Sequence, residues 1–245
     1  MPRNILCDRR AAPVTPATQI NWATLWDERA AQTEDFSATG RGGMNVVGFL
    51  HTIREVARAL SLKSDDTLLD IGCGTGIVAL ALSCSVAKVH GIDLSGAMIE
   101  RARTNCADCD NISFAVGSIL DPVLADRQFS KVLAYSVLQY LSDEAQVLSA
   151  LQSCAKVLPI GGQAFFAANP DPVRRHLYVE QVQASNRTEA DKQRSLYFID
   201  QTLWVDPDRM IDIAAQAGFA AQVLPISPRI WQHFYMFDLL VTKRG

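Results

Sequence analysis

The stretch LLDIGCGTG, Leu68–Gly76, constrains this chain more than any other: an apolar run broken by one acid, Asp70, ends in glycines at 72, 74 and 76. A chain that drops its side chains at every second residue lets its backbone turn tightly and approach another molecule. In an open α/β sheet, ligands lie at the carboxyl ends of the strands, where the strand order reverses. The stretch therefore predicts a buried strand, a ligand-facing turn and a helix beginning at Gly76. A GxGxxG turn, which cradles a pyrophosphate, places its third glycine one residue later; the spacing here is GxGxG. Asp93, in VHGIDLS, follows Gly76 by 17 residues. That is roughly the distance at which a doubly wound fold presents a carboxylate to ribose hydroxyls.

Strand-like and helix-like runs alternate from Thr67 onward. Strands are expected over 67–71, 88–93, 112–116, 131–135 and 162–168, and helices over 76–84, 95–105 and 144–157, the last stopped before Pro159. Ser95 is positioned as the cap of its helix. Such alternation implies a parallel sheet with helices on both faces. The polar stretch Pro170–Trp204 interrupts it and reads as an insertion over the strand ends, a substrate cap. A helix over 207–217 follows, with Gly218 as its stop. The runs 220–224 and 234–242 are joined by a loop too short for a crossover helix, so they are expected to pair antiparallel. Two apolar stripes precede the first strand: Trp22, Leu25, Trp26, Arg29 and Ala30, then Val46, Val47, Leu50, Ile53, Val56, Ala57 and Leu60. They predict helices over 21–60 that pack as a lid. Residues 1–20 read as a loose tail, and 21–245 as one domain.

With 245 residues, 49% hydrophobic and 20% charged, the chain is long enough for a sizeable core. The net charge of -3 argues against a nucleic-acid surface. No apolar run is long enough to span a membrane. The N-terminus lacks the apolar core and cleavage site of a signal peptide. Six scattered cysteines read as reduced thiols in the cytoplasm. The CxxC at Cys106–Cys109 has no second pair at metal-ligand spacing, so no metal site is expected.

LLDIGCGTG, GIDLSGAMIERA, VGSILD, VLAYSVLQYLSD and CAKVLPIGGQAFF resemble, in register, the successive motifs of the class I S-adenosylmethionine-dependent methyltransferases. The resemblance covers about 67–168, and the terminal hairpin is similar too. It implies a Rossmann-like sheet of seven strands in the order 3-2-1-4-5-7-6, S-adenosylmethionine as cofactor, and methyl transfer as the activity. It also implies roles. Asp70 and the backbone of Gly72, Cys73, Gly74 and Gly76 hold the methionine moiety, and Asp93 the ribose diol. Leu94 and Met98 flank the adenine, with Gly117, Ser118 and Ile119 along its edge. Tyr135 and Ser136 border the sulfonium. Ser118 stands where the family usually has an aspartate for the adenine amino group. Ser130 stands where aspartate is typical and is expected to matter structurally.

The family fold names no acceptor. A small molecule methylated at oxygen is the expectation. The alternatives are a non-catalytic cofactor-binding scaffold or sensor, and a nicotinamide-dependent oxidoreductase, which the glycine spacing disfavours. His176 and His233 are candidates to reach the pocket, whereas His90 and His51 read as structural. Gln139 and Tyr140 either orient substrate or, for Tyr140, join the core with Leu138 and Leu141. Arg174 and Arg175 either form a solvated face or receive a phosphate or carboxylate of an anionic acceptor. Trp22 and Trp26 either seat the lid or stack on substrate.

Overall fold

The computed structural model describes residues 20–41, 43–121 and 128–245. The expected tail lies outside them but for its last residue. Three helices come first: α1 (Trp22–Ala30), α2 (Asp35–Ala38) and α3 (Val46–Ala59). The alternating core follows as β1 (Thr67–Ile71), α4 (Ile77–Ser83), β2 (Lys88–Asp93), α5 (Gly96–Asn105), β3 (Ile112–Val116), β4 (Lys131–Tyr135), α6 (Glu144–Val157) and β5 (Gln163–Pro170). Helices α7 (Arg175–Ala184) and α8 (Glu189–Asp200) fill the interruption, before α9 (Pro207–Gln216), β6 (Phe219–Pro225) and β7 (Met236–Lys243).

The strands form one sheet in the order β3-β2-β1-β4-β5-β7-β6. β1 to β5 are parallel, and β7 runs antiparallel to both β5 and β6. This is the expected topology, with order reversing between β1 and β4. One face packs Leu69, Ile71, Val132, Ala134 and Phe166 against α6 and α9. The other packs Leu68, Val89, Leu133, Tyr135 and Phe165 against α3 and α4. Adjacent residues of a strand thus serve opposite layers, as the period of two requires. Ser130 ties the starts of β1 and β4: its hydroxyl accepts from Thr67 N at 2.9 Å and donates to Asp66 at 2.6 Å.

Side-chain caps set the helix starts. Ser95 Oγ accepts from Met98 N at 3.0 Å, as expected, and Asp143 and Asp206 do the same for α6 and α9. Gly76 caps α4 at φ +79°, and a Cβ there would lie 3.0 Å from both Ala102 Cβ and Phe114 Cζ. Gly76→Ala is accordingly expected to destabilise the fold by about 1–3 kcal/mol, from left-handed strain plus overpacking. Denaturant unfolding reads this as a lower midpoint with an unchanged slope.

Three expectations need correction. Val46, Val47 and Leu50 do not face inward: they are 64%, 63% and 59% exposed, whereas Val56 of the same stripe is buried as expected and Thr52 is buried with it. The inward arc of α3 is rotated away from the stripe's first turn, with the uncharged polar Thr52 standing where pattern reading wanted an apolar residue. β7 begins at Met236, because residues Trp231–Phe234 form a short 3₁₀ turn; His233 therefore sits in that turn and not in a strand. β5 runs two residues beyond its expected end at Ala168, which adopts φ +58° at a register shift between Phe166 and Asn169. Asp238 of β7 holds that irregular residue by accepting from Ala168 N at 2.8 Å.

Candidate functional site

Asp70 is the penultimate residue of β1, only 2% exposed. Its Oδ2 is buried and finds no hydrogen-bond partner. Burial pushes its carboxyl up to about 7; the Arg41 guanidinium opposes this and the Asp93 charge adds to it. A buried acceptor left unpaired is costly, and such groups mark places where something else completes the bond.

The glycine turn begins two residues after this carboxylate. Gly72 N and Cys73 N both donate to Ile92 O, at 2.7 and 3.0 Å, pinning the turn to the end of β2. A Cβ on Gly72 would stand 2.5 Å from Val137 Cγ2, so only a bare backbone passes here. Burial drives the Cys73 thiol well above its usual range, which keeps it neutral.

Asp93 ends β2. Its Oδ2 accepts from Gly74 N at 2.9 Å and its Oδ1 from Ser95 N at 3.0 Å. Burial raises its carboxyl, and these backbone donors hold the rise back. Each oxygen keeps a lone pair for a further donor. Leu94 beside it is 49% exposed, whereas Met98 is buried. At the adjoining edge, Gly117 N bonds Asp93 O at 2.9 Å, Ile119 is buried, and Ser118 Oγ accepts from Leu120 N at 3.1 Å. On the other side of β1, Tyr135 ends β4, and Ser136 adopts φ +58° with its N–H on Ala167 O at 2.8 Å. Two non-glycine residues in the left-handed region, Ser136 and Ala168, thus stand at the carboxyl ends of neighbouring strands. Strain of this kind concentrates where geometry serves function.

The N-terminal segment lies against the glycine turn and the end of β4. Thr39 Cγ2 is 2.9 Å from where a Gly74 Cβ would be, and the Arg41 guanidinium stands 4.3 Å from the Tyr135 ring centroid. Asp27 of α1 accepts from the Ser95 hydroxyl at 2.5 Å, and Arg101 of α5 reaches Ala30 O, Gln32 O and Thr33 O. Trp22 packs on Tyr140 at 4.7 Å and on Phe198 of α8 at 5.3 Å, and Trp26 packs on Tyr140 at 5.4 Å. Both tryptophans therefore seat α1 against its neighbours. Sequence reading missed Asp27, Thr39 and Arg41. Arg41 lies in GRGG, between the two apolar stripes, and nothing local marks it as the cation beside Asp70.

The acceptor candidates scatter. Tyr140 is half-buried and Gln139 buried in the 3₁₀ turn after β4. His176 is exposed on α7, its Nδ1 3.0 Å from Val173 O; His233 Nδ1 lies 2.9 Å from Ile230 O. His90 lies within β2, its Nδ1 2.7 Å from Ser113 Oγ. Arg174 pairs with Asp171 and Arg175 with Asp200, so both guanidinium groups already face carboxylates. Among the described residues no cluster of His, Cys, Asp and Glu could hold a metal, and no helix is long and apolar enough to cross a membrane.

Residues 68–162 match the family described as methyltransferase domain. Over that stretch the chain is similar to a methyltransferase domain, and its sheet order is the one the resemblance to class I S-adenosylmethionine-dependent methyltransferases implied. It is 31% identical over 160 residues to the ubiquinone biosynthesis O-methyltransferase of Alkalilimnicola ehrlichii, a match covering 62% of this chain and 63% of that protein. It is 30% identical over 133 residues to the ribosomal protein L11 methyltransferase of Clostridium botulinum, covering 51% of this chain and 42% of that one. The chain therefore spans less than two thirds of either relative. In fold it is similar to the N-methyltransferase NodS of Bradyrhizobium japonicum, solved with S-adenosyl-L-homocysteine: TM-score 0.64, 18% identity, 91% of this chain and 98% of that one.

Proposed function

We propose that this chain is a cytoplasmic S-adenosylmethionine-dependent methyltransferase that acts on a small molecule at oxygen. The observation that carries the cofactor assignment is the unpaired Oδ2 of Asp70, two residues before a turn only glycine can make. An α-ammonium group is a donor of the right charge for that oxygen. Asp93 offers lone pairs to a ribose diol, and exposed Leu94 offers an apolar surface to a purine face, with Met98 behind it. Gly117, Ser118 and Ile119 form the edge beside it, and Tyr135 and Ser136 border the place of the sulfonium.

When bound, the cofactor supplies an electrophilic methyl group. What remains for the chain is to orient the acceptor and keep water out, and orientation alone contributes up to about 7–11 kcal/mol in favourable reactions. Helix α1, latched by Asp27 and seated by its tryptophans, serves as the lid, and α7 with α8 as the cap, all within one domain. Burial pushes the Tyr140 and Tyr135 hydroxyls above their usual range, so both stay protonated and act as donors or walls, not as bases. The choice of oxygen rests on the similarity to a protein named as an O-methyltransferase.

The test is transfer of a labelled methyl group to a panel of hydroxylated aromatic acceptors, with S-adenosylhomocysteine as co-product. Expected is turnover with at least one. Tight S-adenosylmethionine binding with no turnover on any extract fraction would favour the scaffold, and quenching of tryptophan fluorescence by a nicotinamide nucleotide alone would favour the oxidoreductase.

A further inference from the structure

Another buried acceptor stands unpaired beside the Tyr135 side chain. Gln232, 3% exposed, lies in the 3₁₀ turn between β6 and β7; its Nε2 is 3.4 Å from Tyr135 Oη, and its Oε1 has no partner. The surroundings are aromatic. Tyr235 packs on Tyr178 of α7 at 4.9 Å and on Trp231 at 5.7 Å, with Trp204 at 6.2 Å. The tyrosines at 135, 140 and 178 all stand close enough to Tyr235 to raise its hydroxyl further, beyond the effect of burial. Tyr235 thus joins the cap to the β6–β7 turn, and Gln232 in that turn reaches Tyr135 at the end of β4. Of the cap's arginines, Arg174 and Arg175 are engaged with Asp171 and Asp200, whereas the Arg187 charge reaches the Tyr178 hydroxyl and Arg41 lies against the Tyr135 ring.

We infer that Gln232 Oε1 is the group that selects the methyl acceptor, by accepting a hydrogen bond from an O–H or N–H carried on a planar apolar body. The inference rests on the reading of the site as a methyltransferase centre. Gln232 takes no proton; it fixes how the donor-bearing edge of the acceptor lies, while the aromatic walls hold the body. A site with a buried acceptor rejects an analogue that lacks the matching donor, because the oxygen is then left unpaired. Arg174 and Arg175, already paired with Asp171 and Asp200, are not the groups that receive the methyl acceptor.

The experiment uses protein loaded with S-adenosylhomocysteine and a matched pair of probes, 2-naphthol and 2-methoxynaphthalene, titrated by ligand-observed NMR. Wild-type protein is expected to bind 2-naphthol at least fivefold more tightly. Gln232→Met is expected to bind the two within twofold of each other, with its affinity for S-adenosylhomocysteine unchanged. Gln232→Glu, which keeps the acceptor oxygens, is expected to retain the preference. Equal binding of the pair by wild-type protein, no binding of 2-naphthol, or a preference that survives in Gln232→Met would each overturn the inference. Gln232→Ser is read the same way if the methionine variant does not fold. S-adenosylhomocysteine affinity is measured separately by calorimetry, so failure to bind it falls on the proposed function and not on Gln232.

Discussion

Asp70→Asn is expected to raise the melting temperature of the ligand-free protein by several degrees at pH 8 while weakening S-adenosylmethionine binding roughly thirtyfold, about 2 kcal/mol. Both effects follow from one carboxyl held near 7 by burial, against 3.8 in the unfolded chain. Between those values the unfolded state loses its proton and the folded state keeps it, so stability is full below about pH 4 and declines as the pH rises to about 7. At one pKa unit per 1.36 kcal/mol, the penalty above pH 7 is on the order of a few kcal/mol. Asparagine removes it, and in a chain of this size each kcal/mol is worth about 2–4 °C. Asp238, also raised to about 7 by burial, adds a decline of the same sign that the substitution leaves in place. Binding has the opposite dependence. A cationic ligand needs the carboxylate, so affinity should strengthen as the pH rises from 5.5 to about 7 and then level off, and Asp70→Asn should be flat across that range. Calorimetric titrations at four pH values decide it, and a flat wild-type profile would remove Asp70 from contact with the ammonium group.

The fold was legible wherever local pattern and tertiary role coincide. Leu68–Ile71, Val89–Asp93 and Val132–Tyr135 are buried on both faces, and such strands read as continuous apolar runs bounded by turn residues. The terminal hairpin was legible from loop length alone. α3 was not. Its first turn carries Val46, Val47 and Leu50 to solvent, and no rule of periodicity says which part of a wide apolar arc a helix will bury. The start of β7 was missed because aromatic residues favour strands, whereas Trp231 and Phe234 here pack in a 3₁₀ turn beside Tyr235.

The site divides the same way. Asp70, Gly72 and Asp93 were visible because backbone geometry dictates residue type at the end of a parallel strand. Arg41, Asp27 and Gln232 were not, because each gains its meaning from a partner 29 or more positions away, such as Tyr135 for Arg41 and for Gln232. Charge and spacing carry no signal for contacts that only the closed chain creates.

Asp93→Ala is expected to weaken cofactor binding at least tenfold and, unlike Asp70→Asn, to lower the melting temperature. Asp93 is already at work in the ligand-free protein: its oxygens accept from Gly74 N at 2.9 Å and Ser95 N at 3.0 Å, joining the glycine turn to the start of α5. Bonds to a charged acceptor contribute about 1.5–3 kcal/mol each, and their loss leaves two buried donors facing an apolar methyl group. The same loop passes through Ser95 to Asp27, so the alanine variant should also loosen α1, seen as faster amide exchange over residues 22–30. Asp93→Asn keeps one acceptor oxygen but turns an amide nitrogen toward the other backbone donor, and should fall between alanine and wild type in stability. Of two acids at the ends of adjacent strands, one is held by the backbone and keeps the turn in shape, whereas the other has a buried oxygen with no partner. Melting temperatures that shift in the same direction for Asp70→Asn and Asp93→Ala at pH 8 would abolish that distinction.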